Sequence, residues 1–357
     1  MSSVWGSKVK YSIFGESHGK AIGVNIDGLP AGCKLDMDYI RSEMDRRMPG
    51  LNKLSTPRQE KDEFEILSGY FNGYTTGSPI CAVIYNSDQR SKDYEKTKYI
   101  MRPSHADYTG YIKYSGYNDY RGGGHFSGRL TAPLVFAGAI AKKILLEKDI
   151  IIGSHIYSIG DISDSAFDMA DLNNETLAKL KEASFPVLDK DKGELMKKAI
   201  LDAKSDLDSV GGVIEIGIIN LPAGLGDPFF DSAESILSHI LFSIPAVKGV
   251  EFGAGFDIAK MRGSASNDEL YIKDGKVKSK TNNNGGILGG ITNGMPLIVR
   301  AAFKPTPSIS KVQNTVDMER HENTKIKIEG RHDPCIVPRA CPVVEAAAAM
   351  AILELIL

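Results

Sequence analysis

Three glycine-punctuated clusters combine the side chains that acid–base and anion chemistry require. The first is Phe14-Gly15-Glu16-Ser17-His18-Gly19, where flanking glycines let the backbone turn and present Ser17 and His18. It is not the G-x-S-x-G nucleophile elbow, and alone it reads equally well as a surface turn. The second runs from Arg102-Pro103-Ser104-His105-Ala106-Asp107-Tyr108 to Arg121-Gly122-Gly123-Gly124-His125-Phe126-Ser127-Gly128-Arg129 and straight into an apolar helical pattern at Thr131. Its glycines expose successive N–H groups, Ser127 can bond a phosphate, and Arg121 and Arg129 supply charge beside a helix N-terminus. No G-K-[ST] follows, so it is not a Walker A loop, and the dinucleotide fingerprint G-x-G-x-x-G fails at Ser127. The alternative reading is a glycine turn capping a helix.

The third cluster has two parts: Asn284-Gly285-Gly286-Ile287-Leu288-Gly289-Gly290 leading to Lys304-Pro305-Thr306-Pro307-Ser308, and Gly330-Arg331-His332-Asp333-Pro334 leading to Arg339. Lys304, Thr306 and Ser308 suit a phosphate on a backbone stiffened by two prolines. Asp333 beside His332 and Arg331 is a carboxylate with cationic partners, suited to act as a base if partly desolvated. Between the arginine motifs, Tyr108, Tyr111, Tyr114, Tyr117 and Tyr120 recur every third residue. Gly116 and Asn118 interrupt any helix there, so the tyrosines read as packing groups with wet hydroxyls rather than a base-stacking platform.

The elements that must position these turns are helices and antiparallel strands. Helical patterns cover 36–47, 131–148, 173–184, 193–205, 231–243 and 343–357, and strand patterns 80–86, 212–220 and 295–303. Helices and strands do not alternate as in a doubly wound sheet, which predicts an α+β architecture. Two strand-like segments, Ile22-Gly23-Val24-Asn25-Ile26-Asp27-Gly28 and Ile214-Glu215-Ile216-Gly217-Ile218-Ile219-Asn220, both run into Leu-Pro-Ala-Gly. They suggest an internal duplication, with halves near 1–205 and 206–357, inside a single domain spanning 1–357. A chance match of a common strand-turn pattern is the alternative.

A net charge of −2 removes any general electrostatic case for a nucleic-acid or anionic-membrane partner, so an anionic ligand must be held locally. The start of the chain has no basic-then-apolar leader, and no uncharged stretch approaches the roughly 20 residues of a bilayer span. A cytoplasmic protein without a membrane segment is expected. Cys33, Cys81, Cys335 and Cys341 show neither a disulfide framework nor zinc spacing, so four reduced, mostly buried thiols and no metal are expected.

The clusters together, with A-V-K-G-V-E at 246–251, resemble the chorismate synthase family over essentially the whole chain. The resemblance implies a helical layer sandwiched between antiparallel sheets, pseudo-two-fold symmetry and a homotetramer. It implies 1,4-elimination of phosphate from 5-enolpyruvylshikimate 3-phosphate to give chorismate, with reduced FMN and no net redox change. The alternative is a bifunctional form or a flavin oxidoreductase that also oxidises NADPH. By the same resemblance His18 protonates the departing phosphate, His105 pairs with the reduced flavin, Asp333 takes a proton with the flavin N5, and Ser17 and Ser127 assist. FMN contacts fall on His125, Phe126, Ser127, Pro245, Ala246, Gly289, Lys304, Pro305, Thr306, Pro307, Ser308 and Arg331. Arg47, Arg129 and Arg339 hold the anionic groups of the substrate. Where many members have arginine and glutamate in the glycine-loop segment, this chain has His125 and Leu130, and Lys53 stands where arginine is frequent.

Overall fold

The computed structural model describes residues 3–48, 54, 61–87, 95, 97–328 and 332–357. The chain divides into two compact units, each assembled from three segments. One comprises Met1–Ala137, Lys197–Gly211 and Pro305–Arg339, and the other Gly138–Met196, Gly212–Lys304 and Ala340–Leu357. Each contains a five-stranded antiparallel sheet, so the architecture is α+β.

In the first unit the strand order is Val4–Trp5, Lys10–Gly15, Ala21–Asp27, Ile80–Tyr85, Phe64–Ser68. In the second it is Val247–Phe252, Leu297–Phe303, Gly212–Ile219, Ile151–Ile159, Ile162–Ser163. The strands leading into the two Leu-Pro-Ala-Gly segments, Ala21–Asp27 and Gly212–Ile219, are the central strands of their sheets. In the first, Ile22, Val24 and Ile26 are buried while Asn25 and Asp27 are exposed, the period-two pattern of a half-buried strand. In the second, residues on both faces are buried from Ile214 to Ile219, so no alternation marks it.

Helix starts follow their caps. Asp36 accepts from Tyr39 N at the head of Met37–Arg47, Asn173 from Thr176 N before Asn174–Glu182, and Ser232 from Ser235 N before Ala233–Ser243. The helices at 131 and 193 are seen as Thr131–Leu146 and Lys190–Ser205. The final helix differs from expectation: it spans Val337–Ile356 and contains Pro342. Proline forfeits one ladder bond, but Val343, Val344 and the run Ala346–Leu353 are buried, so packing sustains the helix across it. The strand Ile151–Ile159 escaped notice because the buried Ser154 and His155 break its apolar run. Of the cysteines, Cys335 and Cys341 are buried and Cys33 and Cys81 only partly so, and none forms a disulfide.

Two buried polar groups stiffen the second unit. Lys142 Nζ donates to Glu345 Oε2 at 2.7 Å and Ser154 Oγ to Glu345 Oε1 at 2.8 Å. His155, fully buried, bonds Asp164 through Nδ1 at 3.0 Å and Glu215 through Nε2 at 2.9 Å. Arg300 donates to the other Glu215 oxygen at 2.8 Å. Burial opposes the His155 charge, yet its two carboxylate partners outweigh burial and hold the imidazole above its ordinary 6.5. That contribution to stability is complete below 6.5 and fades as pH climbs through the higher folded-state value.

Replacement of His155 by Gln should therefore remove part of the loss of stability seen as pH rises above the ordinary histidine range, measured by urea unfolding across that range. Nearby, an added Cβ at Gly138 would collide with the Ala346 backbone, whereas one at Gly128 meets nothing. Gly138→Ala should cost about 1–3 kcal/mol by overpacking, with Gly128→Ala near neutral, read as a shift of the denaturation midpoint.

Candidate active site

The first unit gathers the histidines, the aspartate and the arginines singled out above. Ser17 N donates to Gly124 O at 3.1 Å, which seats the Gly15–Gly19 turn on the glycine loop. Ser17 Oγ lies 3.2 Å from His18 Nδ1 and accepts from Gly123 N at 3.4 Å. Gly122 has φ +63°, and any Cβ there would strike the His18 ring and Ser17 Oγ, so glycine is required on both counts. Ser17 and His18 are buried, with 1% and 6% of their surface exposed.

Arg102 ties this pair to the next motif. Its guanidinium reaches Gly122 O at 2.5 Å and both oxygens of Asp107 at 2.7 Å. Asp107 also receives His105 Nδ1 at 2.6 Å, so the Arg102–Asp107 pair fixes the His105 ring from one side. Burial pushes the Asp107 carboxyl up, but Arg102 and His105 together hold it well below the usual carboxylate range. Burial pushes His332 down to about 4, with the positive charge of Arg102 and of His105 adding to it and Asp333 opposing it. Its Nε2 is buried without a hydrogen-bond partner.

The arginines complete the cluster. Asp333 Oδ2 accepts from Arg339 at 2.6 Å, and Arg339 Nε donates to Arg47 O at 3.1 Å. Arg47 and Arg129, 3% and 6% exposed, both pair with Asp62, one to each carboxylate oxygen. Arg47 also reaches Thr131 Oγ1 at 3.3 Å and Arg129 Nε reaches Asn86 Oδ1 at 3.1 Å. Arg47 Nε is buried with no partner. Ser127 Oγ accepts from Arg129 N at 3.2 Å, so this serine caps the turn that carries the arginine.

The remaining expected residues lie in several places. His125 has both ring nitrogens engaged, Nδ1 by Gly15 O at 2.8 Å and Nε2 by Ser3 Oγ at 2.9 Å. Phe126 is 37% exposed and borders a cleft lined by Met101, Arg102, Tyr111 and Tyr120. Thr306 Oγ1 is buried without a partner, its carbonyl accepts from Ser209 Oγ at 2.7 Å, and Ser308 is buried. In the second unit Lys304 N donates to Ala246 O at 3.0 Å, and Ala246, after Pro245, holds φ +77°, a conformation rare for a non-glycine residue. A Cβ at Gly289 would meet nothing within 4 Å. Arg331 and Lys53 lie outside the described residues. Of the tyrosines, Tyr117 is 92% exposed, just beyond the helix Asp107–Lys113 that ends before Gly116.

Sequence reasoning placed Arg102 and Asp107 in the second motif without giving either a role, and missed Asp62 altogether. Asp107 had a signal, since it follows His105 by two residues in a turn with Arg102. Asp62 had none, lying in the polar stretch Glu60-Lys61-Asp62-Glu63.

Two imidazoles, a carboxylate and three guanidiniums held in one unit are the groups that an acid–base enzyme acting on a polyanion requires. Comparison with known proteins narrows that class. The family profile described as Chorismate synthase matches residues 9–357. A chorismate synthase of Pyrococcus abyssi is 49% identical over 350 residues, 98% of this chain and 96% of that protein. That of Dehalococcoides mccartyi is 46% identical over 357 residues, covering 100% of this chain and 97% of the relative. A crystal structure of chorismate synthase, 33% identical, superposes with a TM-score of 0.77 over 98% of this chain and 92% of that one. This chain belongs to the chorismate synthase family.

The buried His332 ring should remain neutral from pH 8 down to about 5 and charge only near 4. Its carbon-bound ring protons, followed by NMR, should be flat over that range and move only near 4.

Proposed function

We propose that this chain carries out the reaction of its family on 5-enolpyruvylshikimate 3-phosphate, giving chorismate and phosphate with reduced FMN bound and no net redox change. The carbon–oxygen bond to phosphate breaks and the phosphate leaves with the bonding pair. A ring C–H gives up its proton, and its electrons close the new double bond. The observation that carries this reading is the presence in one unit of two runs of contacts, one from His18 through Ser17 and the glycine loop to Arg102, Asp107 and His105, the other from Asp333 through Arg339 and Arg47 to Asp62 and Arg129, with His332 feeling charges from both.

A substrate with a phosphate and two carboxylates needs several guanidiniums, because burying its charges without counter-charge is prohibitive. Arg47, Arg129 and Arg339 supply three. His18, oriented by Ser17, stands as the group that protonates the departing phosphate, and Asp333, offset by Arg339, as the carboxylate that takes up the ring proton. His105 is a cation partner held by Asp107. Reduced flavin, when bound, supplies electron density that eases departure of phosphate. Within the first unit, the unpartnered Thr306 hydroxyl and the buried Ser308 suit the phosphate of such a group. In the second unit, taken by itself, the open space at Gly289 and the Pro245-Ala246 turn leave room for a planar ligand.

Association of copies into a homotetramer is supported by exposed aromatic groups on the second unit, with Phe229, Phe230 and Phe256 86%, 90% and 83% exposed. Among the described residues no helix is long and apolar enough to cross a membrane, and no cluster of three or more His, Cys, Asp or Glu side chains suits a metal.

Purified protein given substrate and reduced FMN without oxygen should release phosphate. No release would overturn the reading, and one NADPH consumed per product would favour the oxidoreductase instead. In that assay His18→Ala and His105→Ala should each lower kcat by roughly 10²–10⁴ with smaller changes in KM.

A further inference from the structure

The Asp62 carboxylate sits where an anionic ligand would be expected. Its side chain is fully enclosed, one oxygen is paired with Arg47 and the other with Arg129, and its backbone is held at φ +47°, uncommon for a residue other than glycine. The seat it fills has unused capacity. Arg47 Nε is buried with no acceptor, and the side chain carrying it is 3% exposed. A single carboxylate thus bridges two guanidiniums and leaves Arg47 Nε without an acceptor. A phosphate or carboxylate from outside would offer more acceptor oxygens to the same donors.

We infer that Asp62 is an internal counter-anion, which keeps Arg47 and Arg129 paired while no substrate is bound and sets how strongly that seat attracts an external phosphate or carboxylate. The inference rests on the reading of these arginines as substrate partners. It adds a residue that tunes affinity without touching the reacting atoms. Physically it is a competition: two buried guanidiniums must have a negative partner in every state, and the chain supplies one of its own. Removal of that charge leaves the pair uncompensated, so the protein loses stability and any external anion binds with less to displace.

Inorganic phosphate is the probe, with chloride at matched ionic strength as the reference, and thermal unfolding of the full chain is the readout. Asp62→Asn should melt below wild type without phosphate and respond to phosphate at roughly tenfold lower concentration than wild type does. Asp62→Glu, which keeps the charge, should follow wild type, and Arg129→Gln added to Asp62→Asn should abolish the heightened response. Equal phosphate dependence in wild type and Asp62→Asn overturns the inference, as does a heightened response that survives Arg129→Gln. If Asp62→Asn does not fold alone, its refolding yield is compared with and without phosphate: recovery supports the inference and indifference overturns it. Because stability and not turnover is read, this result can fail while the wild-type enzyme still releases phosphate from substrate, and the converse.

Discussion

Guanidinium groups withdrawn from water need negative partners, and the arginines of the first unit's cluster are arranged around that constraint. Arg47, Arg129 and Arg339 are served by two carboxylates, Asp62 and Asp333, which leaves the cluster one positive charge in excess. The excess is what a polyanion would meet. Burial pushes the Arg339 guanidinium down and Asp333 only partly restores it, so even there the compensation is incomplete. The protein as a whole is slightly acidic, so this local surplus arises from placement and not from composition.

Placement is achieved with backbone. The Gly15–Gly19 turn docks on Gly124, Gly122 clears space for the His18 ring, and Arg102 clamps the carbonyl of Gly122 while gripping Asp107. Each histidine is thus oriented by a partner fixed to a different piece of main chain. Catalytic groups held this way need little reorganisation when charge develops nearby.

Much of this was legible in the sequence. The six helices were visible because their apolar periodicity is strong and because Asp36, Asn173 and Ser232 are caps with a readable mechanism. The final helix began earlier than read, since local chemistry at Pro342 argues for a break that buried packing overrides. Gly212–Ile219 was legible as an apolar run, but Ile151–Ile159 was not, because its buried Ser154 and His155 are paired only through the fold. The chemistry-bearing clusters stood out by residue type. Their mutual contacts did not, and Asp62 was silent, because a charged residue in a charged stretch carries no sign of the two arginines it will meet. The part His125 plays, pinning Gly15 and Ser3, was equally invisible from its place in a glycine loop.

The first unit draws its chain from early and late parts of the sequence, and this has a consequence for synthesis. Arg47, Asp62 and Arg129 are all made early, whereas Asp333 and Arg339 come from the segment Pro305–Arg339. At about 5–20 residues per second, the roughly 210 residues between Arg129 and Arg339 take on the order of 10–40 s to emerge. For that interval a nascent chain carries two of its arginines without the third or its aspartate. The early pair has a carboxylate close by in sequence, and the late arginine brings its own six residues ahead of it. Each ribosomal instalment therefore arrives with a carboxylate of its own, the early pair of arginines sharing one.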